Sequence, residues 1–221
     1  MSFLDWPLSI PSSSYGWYRA DSQYWNSTSE LLYDISGNGN HATTSGAISL
    51  ESASGNGATA VLQYLKGDTS GTVLWPSGSI PVVFTLCSIT RYVEGGKMKR
   101  ILTSPLLNWF HGHWDSYYNL AFYGNWKAYY PNVGFLTNCV VMCGKNSGSI
   151  PNNILVEGIP VGYESGGIGA GVMSINICLN PQDNSDWAFR ELMIWNTALS
   201  DADMVIASSA LRDTLHDQVC M

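Results

Sequence analysis

Residues 183–215 read DNSDWAFRELMIWNTALSDADMVIASSALRDTL, and this stretch decides the fold. It holds an acidic turn, then a strand with two apolar faces, then a capped helix. From Trp187 to Trp195 the odd positions carry Trp187, Phe189, Glu191, Met193 and Trp195, and the even positions carry Ala188, Arg190, Leu192, Ile194 and Asn196. Side chains alternate across a strand, so apolar groups on both faces describe an inner strand covered on two sides. Ser200 then offers a hydroxyl to the free N–H groups of a new helix, with Asp203 three residues on completing a capping box. Met204, Ala207, Leu211 and Leu215 recur at helical spacing, which predicts a helix over 200–218.

Working outward, the rest of the chain reads as short strands. Residues 1–15 are rich in Ser and Pro and read as an irregular lead-in to a single domain over 16–221. Strands are predicted at 16–21, 31–35, 81–92, 100–103, 136–143 and 171–179. In the last of these Met173, Ile175, Ile177 and Leu179 point inward. Ile154–Val156 and Ile159–Val161, joined by Glu157-Gly158, read as a tight hairpin. Residues 42–71 are rich in Gly, Ser, Ala and Thr and suggest edge strands and loops. Many short strands with one terminal helix define an all-β class, a two-sheet antiparallel jelly-roll sandwich. No βαβ alternation, GxGxxG-plus-helix or P-loop occurs, which excludes a nucleotide-binding parallel sheet.

Only 12% of residues are charged while 21 are Trp or Tyr, too aromatic a mixture for a disordered tail. A net charge of −7 argues against nucleic acid as a partner, because phosphate backbones need basic patches. No apolar run is long enough for membrane insertion, and the N-terminal residues do not read as a signal peptide. Five cysteines without a CxxC spacing give neither a disulfide framework nor a zinc site. The reading preferred for Cys87, Cys139, Cys143 and Cys178 is therefore buried thiols, with one disulfide or a metal-binding pair as the alternatives.

The ordered set Leu32-Tyr33-Asp34, Ser36-Gly37-Asn38-Gly39-Asn40-His41-Ala42, the 84–92 strand, the 154–161 hairpin and Phe189–Asn196 with Ala198-Leu199-Ser200 resembles a laminin-G-like, concanavalin-A-like lectin domain. The resemblance spans nearly the whole chain. It implies two stacked sheets, with a closing strand beside the N-terminal one. It also implies glycan or protein-receptor binding on a cell or particle surface, and often a calcium ion. The chain lacks the late disulfide of animal members and has a longer final helix, features that fit a microbial, algal or viral relative. An alternative function is a structural subunit of a large assembly such as a virion, where the partners are neighbouring subunits.

The candidate residues follow from chemistry. Sugar rings present flat C–H patches that pack on aromatic faces, while amide, carboxylate and imidazole groups bond the hydroxyls. Asn108–Tyr130 carries that mixture, and the candidate ligand-binding residues are Trp109, His113, Trp114, Asp115, Tyr117, Asn125 and Trp126. His111, His113 and Asp115 share one face of an extended run and form a minor candidate for zinc. For calcium the candidates are Asp183, Asn184 and Asp186, with Asp34, Asn38 and Asn40 as a second oxygen-rich turn. No catalytic residue is assigned. The paired carboxylates that retaining glucanases place on one strand are missing, and Glu191 is followed on its face by Met193 and Trp195.

Overall fold

The computed structural model describes residues 14–129 and 135–216. In chain order its strands are β1 (Ser14–Arg19), β2 (Trp25–Asn26), β3 (Leu31–Leu32), β4 (Ala42–Ser45), β5 (Ile48–Gly55) and β6 (Ala58–Gly67). Next come β7 (Thr72–Leu74), β8 (Thr85–Tyr92), β9 (Leu102–Thr103), β10 (Trp109–Trp114), β11 (Tyr117–Tyr123) and β12 (Trp126–Tyr129). The chain closes with β13 (Val140–Lys145), β14 (Ile154–Val156), β15 (Ile159–Pro160), β16 (Ser174–Ile175), β17 (Trp187–Trp195) and the helix α1 (Asp201–Leu215). Among the described residues these strands form two sheets. One runs β15-β14-β13-β8-β17-β6-β5 with β1 also on β17, and the other runs β12-β11-β10-β9-β16-β7-β4-β3-β2. Every named pairing is antiparallel, as a sandwich of this class requires.

The closing strand lies inside the first sheet and is covered on both faces. One face joins the inter-sheet core with Tyr18, Trp75, Phe84 and Tyr92; the other joins a second core under α1 with Cys87, Ile89 and Val141. The strict odd/even division does not hold, however. Opposite β8 the register passes from Phe189↔Thr90 to Glu191↔Ile89, so Arg190 is an extra residue, a β-bulge. Trp187 and Phe189 therefore share the inter-sheet core with the even-numbered Leu192 and Ile194, whereas Met193 and Trp195 turn toward the helix. Gly67 makes room for this arrangement, since a Cβ there would stand 2.5 Å from the Trp187 ring.

The bulge sits where β17 changes neighbours. Trp187–Phe189 pair with β6, and Glu191–Trp195 pair with β1 on the same edge. At the fork, Ala20 N–H donates to the Arg190 carbonyl at 2.8 Å, and Arg190 Nη1 donates to the carbonyls of Ala20 (2.7 Å) and Gln63 (3.0 Å). Glu191 is fully buried beside it and accepts from Trp17 Nε1 at 2.7 Å and Arg19 Nη2 at 3.0 Å. A buried charge is tolerable only when paired and hydrogen-bonded; Trp17 and Arg19 supply this at Oε1, while Oε2 is buried without a hydrogen-bond partner among the described residues.

Helix α1 starts as its sequence dictates. Ser200 Oγ accepts from Asp203 N at 3.1 Å and donates to the Asp203 carboxylate at 2.7 Å, and Met204, Ala207, Leu211 and Leu215 face the first sheet. It ends at Leu215 with His216 as the C-cap, short of the expected 218; residues 217–221 lie outside the described set. The Glu157-Gly158 hairpin is present, with φ of 51° and 80° at the two turn residues, the left-handed pair a two-residue turn needs.

Several expectations are corrected. β1 begins at Ser14, so the lead-in is shorter than 1–15; residues 1–13 lie outside the described set. Residues 42–71 do hold an edge strand, β5, but it is one arm of a long hairpin whose other arm, the ten-residue β6, lies inside the sheet. The 81–92 strand begins only at Thr85, leaving Val82 84% exposed. The 171–179 run keeps a two-residue strand and an isolated bridge at Gly171, because Asn176 turns to φ 55° and donates to the Asp68, Gly71 and Ser185 carbonyls. Met173 and Ile175 stay buried, whereas Leu179 is 59% exposed. Cys87 and Cys143 stand directly opposite each other on β8 and β13 and form a disulfide, while Cys139 and Cys178 are free thiols.

Glu191→Gln should lower stability by roughly 3–5 kcal/mol in urea unfolding, because it leaves the Arg19 guanidinium buried without its countercharge. A loss below about 0.5 kcal/mol would show that the fork does not depend on this pair.

Candidate functional site

The aromatic segment folds into the three-stranded end of the second sheet, β10-β11-β12. Alternation along β10 sends Trp109, His111 and His113 inward and Phe110 and Trp114 outward. On β11 the register passes from Gly112↔Leu120 to His113↔Tyr118, so Asn119 (φ 67°) is the extra residue. That bulge turns Tyr118 and Ala121 inward while Leu120 and Phe122 leave the inter-sheet core. A second bulge at Lys127, between the pairs Ala121↔Ala128 and Phe122↔Trp126, likewise leaves Ala128 in that core and Trp126 out of it.

The result is an outward aromatic cluster. Trp126 is its hub, with ring centroids 5.6 Å from Phe110, 5.8 Å from Trp114, 5.5 Å from Phe122 and 6.0 Å from Tyr129. Phe110 stacks on both Trp114 and Phe122 at 5.8 Å, and Tyr117 reaches Tyr129 at 6.1 Å. Tyr117 and Tyr129 are 45% and 54% exposed, so the cluster keeps open ring surface beside the half-buried Trp114, Phe122 and Trp126. Polar groups stand at both ends of β11: Asp115 with Lys99 at one turn, and Asn125 donating to Glu164 at the other.

The acidic turn is tied to this cluster through Arg100. Asp183 pairs with Arg100 at 3.2 Å, and the Arg100 guanidinium lies 4.9 Å over the Phe110 ring. Asp186 accepts the Lys97 backbone N–H, and Asn184 donates to the Thr69 carbonyl at 3.3 Å. This donor set does not fit calcium. Asp183 is already ion-paired with a guanidinium and Asp186 already accepts an N–H, so a cation would have to displace Arg100 from Asp183. The second oxygen-rich turn is likewise committed. Asp34 accepts from the N–H groups of Trp17 (3.0 Å), Ser36 (2.9 Å) and Asn40 (3.0 Å), which shapes the loop.

Of the candidate ligand-binding residues, the structure brings Trp114, Tyr117 and Trp126 together, with Asp115 and Asn125 at the rim. Trp109 and His113 are separated from them and belong to the interior. Trp109 is fully buried, stacked on Tyr123 at 5.1 Å. His113 is also fully buried, against Tyr92 at 4.7 Å, with Thr90 Oγ1 3.4 Å from its Nδ1. His111 Nε2 faces the Met142 carbonyl at 3.3 Å and so carries the proton there, leaving Nδ1 to accept from Tyr123 Oη at 2.7 Å. With both imidazoles buried and Asp115 on an exposed turn, the zinc set is not assembled. Phe110 and Phe122 join the cluster without having been among the candidates. The outward position of Phe110 was readable from alternation with Trp114; that of Phe122 depends on the bulge at Asn119.

No protein-family model matches the chain, and no curated protein matches it. Solved structures match its fold. Domain 4 of AbnA, a GH43 extracellular arabinanase from Geobacillus stearothermophilus in complex with arabinotriose, superposes with a TM-score of 0.57 at 12% identity, covering 89% of this chain and 98% of that one. Trypanosoma rangeli sialidase in complex with sialic acid gives 0.55 at 13% identity, covering 95% of this chain and 35% of that one. A chain described as HCR/D-Sa-GBL1/C gives 0.58 at 14% identity, covering 95% and 53%. This chain thus spans about a third of the length of the sialidases it matches. At such identities the likeness shows the fold, an antiparallel β-sandwich.

Burial lowers the pKa of His111 to about 4 and, with a smaller contribution from His111, that of His113 to about 3. The groups facing them are Tyr123, Tyr92, Tyr118, Thr90 and the Met142 carbonyl, none of which supplies a countercharge. The unfolded chain binds these protons near pH 6.5 and the folded chain only well below it. Stability is therefore whole above pH 6.5 and falls as pH drops toward 4 and then 3, by up to about 1.4 kcal/mol per pH unit for each histidine. Urea unfolding across pH 7 to 4 should show a shallower slope for His113→Gln than for the parent; equal slopes would contradict a neutral buried imidazole.

Proposed function

We propose that the chain is a non-catalytic glycan-binding module of the concanavalin-A-like, laminin-G-like kind, with its sugar site on the outward face of β10-β11-β12. The observation that carries this reading is the Trp126-centred cluster, which presents part-exposed rings between two polar ends. Such faces pack against the C–H patches of pyranose or furanose rings, while Asp115, Lys99, Asn125 and Glu164 stand where hydroxyls would be bonded. The net charge of −7 favours a neutral glycan over a polyanionic one. The arabinotriose complex of AbnA domain 4, a chain of the same fold and comparable extent, supports carbohydrate as the ligand class. The strand acid Glu191 lies inside the fold, held by Trp17 and Arg19, which supports a binding rather than a hydrolytic role.

A glycan array probed with the full chain should give hits among neutral oligosaccharides. Trp114→Ala with Trp126→Ala should abolish them. Tyr117→Ala with Tyr129→Ala, confined to the exposed rings, should weaken them by about tenfold while leaving the melting temperature nearly unchanged. Unaltered binding in a folded Tyr117→Ala/Tyr129→Ala variant would refute the site. An array without hits would favour the structural-subunit alternative.

A further inference from the structure

The other sheet carries an unassigned pocket of different chemistry. It opens on the outer face of the first sheet, beside the part covered by α1, and is lined by Ser54, Asn56, Tyr64, Arg91, Cys139 and Arg190 among others. It is small, about 20 Å³ when measured as space for the centre of a water-sized sphere, which is room for little more than one water-sized group. Two guanidinium groups line it from neighbouring strands, since Arg91 on β8 lies opposite Ala188 on β17, next to the Arg190 bulge.

Neither arginine has a carboxylate partner in an ion pair among the described residues. Arg91 is 9% exposed, donates to the Tyr92 carbonyl at 3.1 Å, and lies 4.8 Å over the Tyr64 ring. Arg190 spends Nη1 on the Ala20 and Gln63 carbonyls, and its Nε is buried without a partner. The acids that act on Arg190 from a distance are engaged elsewhere: Glu191 holds Trp17 and Arg19, and Asp21 accepts the Gln23 N–H. The thiol between the arginines does not neutralise them either, because burial pushes Cys139 up to about 11 and keeps it protonated. Two arginines without a carboxylate partner thus line one pocket, one of them with a buried, unpartnered Nε, in a chain of net charge −7.

We propose that this pocket binds a small oxyanion group, a carboxylate or a phosphate, between Arg91 and Arg190. A planar guanidinium matches the paired oxygens of either group, and the small pocket takes the oxyanion group alone, with the rest of any larger ligand outside it. The site stands on the opposite sheet from the aromatic cluster and does not depend on a glycan being bound there.

The test is thermal unfolding of the full chain in inorganic phosphate or in sodium acetate, each against sodium chloride of equal ionic strength. At least one oxyanion should raise the melting temperature saturably below about 50 mM, and the two arms separate phosphate from carboxylate. Arg91→Gln, which leaves the Arg190 fork intact, should weaken the apparent affinity about tenfold or more, and Arg91→Lys, which keeps charge but loses the fork geometry, should fall between. In the unmutated chain the same anion should slow alkylation of Cys139 and leave Cys178 unaffected. No saturable effect of either anion over chloride, an undiminished effect in Arg91→Gln, or unchanged Cys139 labelling would each overturn the proposal.

Discussion

The rest of the structure depends on the fork at Arg190. One edge of β17 must serve two strands, β6 for its first three residues and β1 for its last five. An edge shared in this way leaves a gap in the ladder where one neighbour stops and the other starts, and buried backbone groups in such a gap need partners. The bulge supplies them. The Arg190 carbonyl takes the Ala20 N–H, and its guanidinium takes the last free carbonyls of both neighbours. The same extra residue exchanges the faces of the strand, so that Trp187 and Phe189 enter one core and Met193 and Trp195 the other. Register, core composition and the seat of α1 therefore follow from one inserted residue.

The second sheet uses the same device for another end. Bulges at Asn119 and Lys127 separate residues that strict alternation would place together, sending Tyr118 and Ala128 into the core while Leu120 and Trp126 stay outside it. Without them the rings would be divided differently between the two faces. Their support also comes from within the fold. Asp183 pairs with Arg100, which lies over Phe110, so the turn whose oxygens suggest a cation site acts by holding a protein cation against the aromatic cluster.

Much of this was legible in the residues. The class of fold, the two-sided closing strand, the Ser200 cap and the Met204-Ala207-Leu211-Leu215 stripe all rest on local periodicity and cap chemistry, which act within a few residues. The bulges were not legible, because an arginine, an asparagine or a lysine in a strand carries no mark that it will be left unpaired. Nor was the Cys87–Cys143 bond, which depends on a register between strands 56 residues apart. For the candidate site, composition located the segment but could not assign faces. Trp109 and Trp114 read alike in sequence, and one is core while the other is surface.

The two outer faces of the sandwich are chemically opposed, and that follows from how each sheet is closed. On the first sheet the fork needs a guanidinium with several donors at a position that cannot be fully covered, because the strand pairing is irregular there. The carbonyls use only part of its capacity, and Arg91 on the adjacent strand adds a second charge at the same opening. On the second sheet the closing hairpins leave rings outside the core, stacked on one another and braced by Arg100. Desolvated positive charge and open aromatic surface thus arise at separate places, one as the residue of a topological constraint and the other as the product of register. A ligand that used both would have to reach around the sandwich, so the two proposed sites are independent rather than parts of one composite groove.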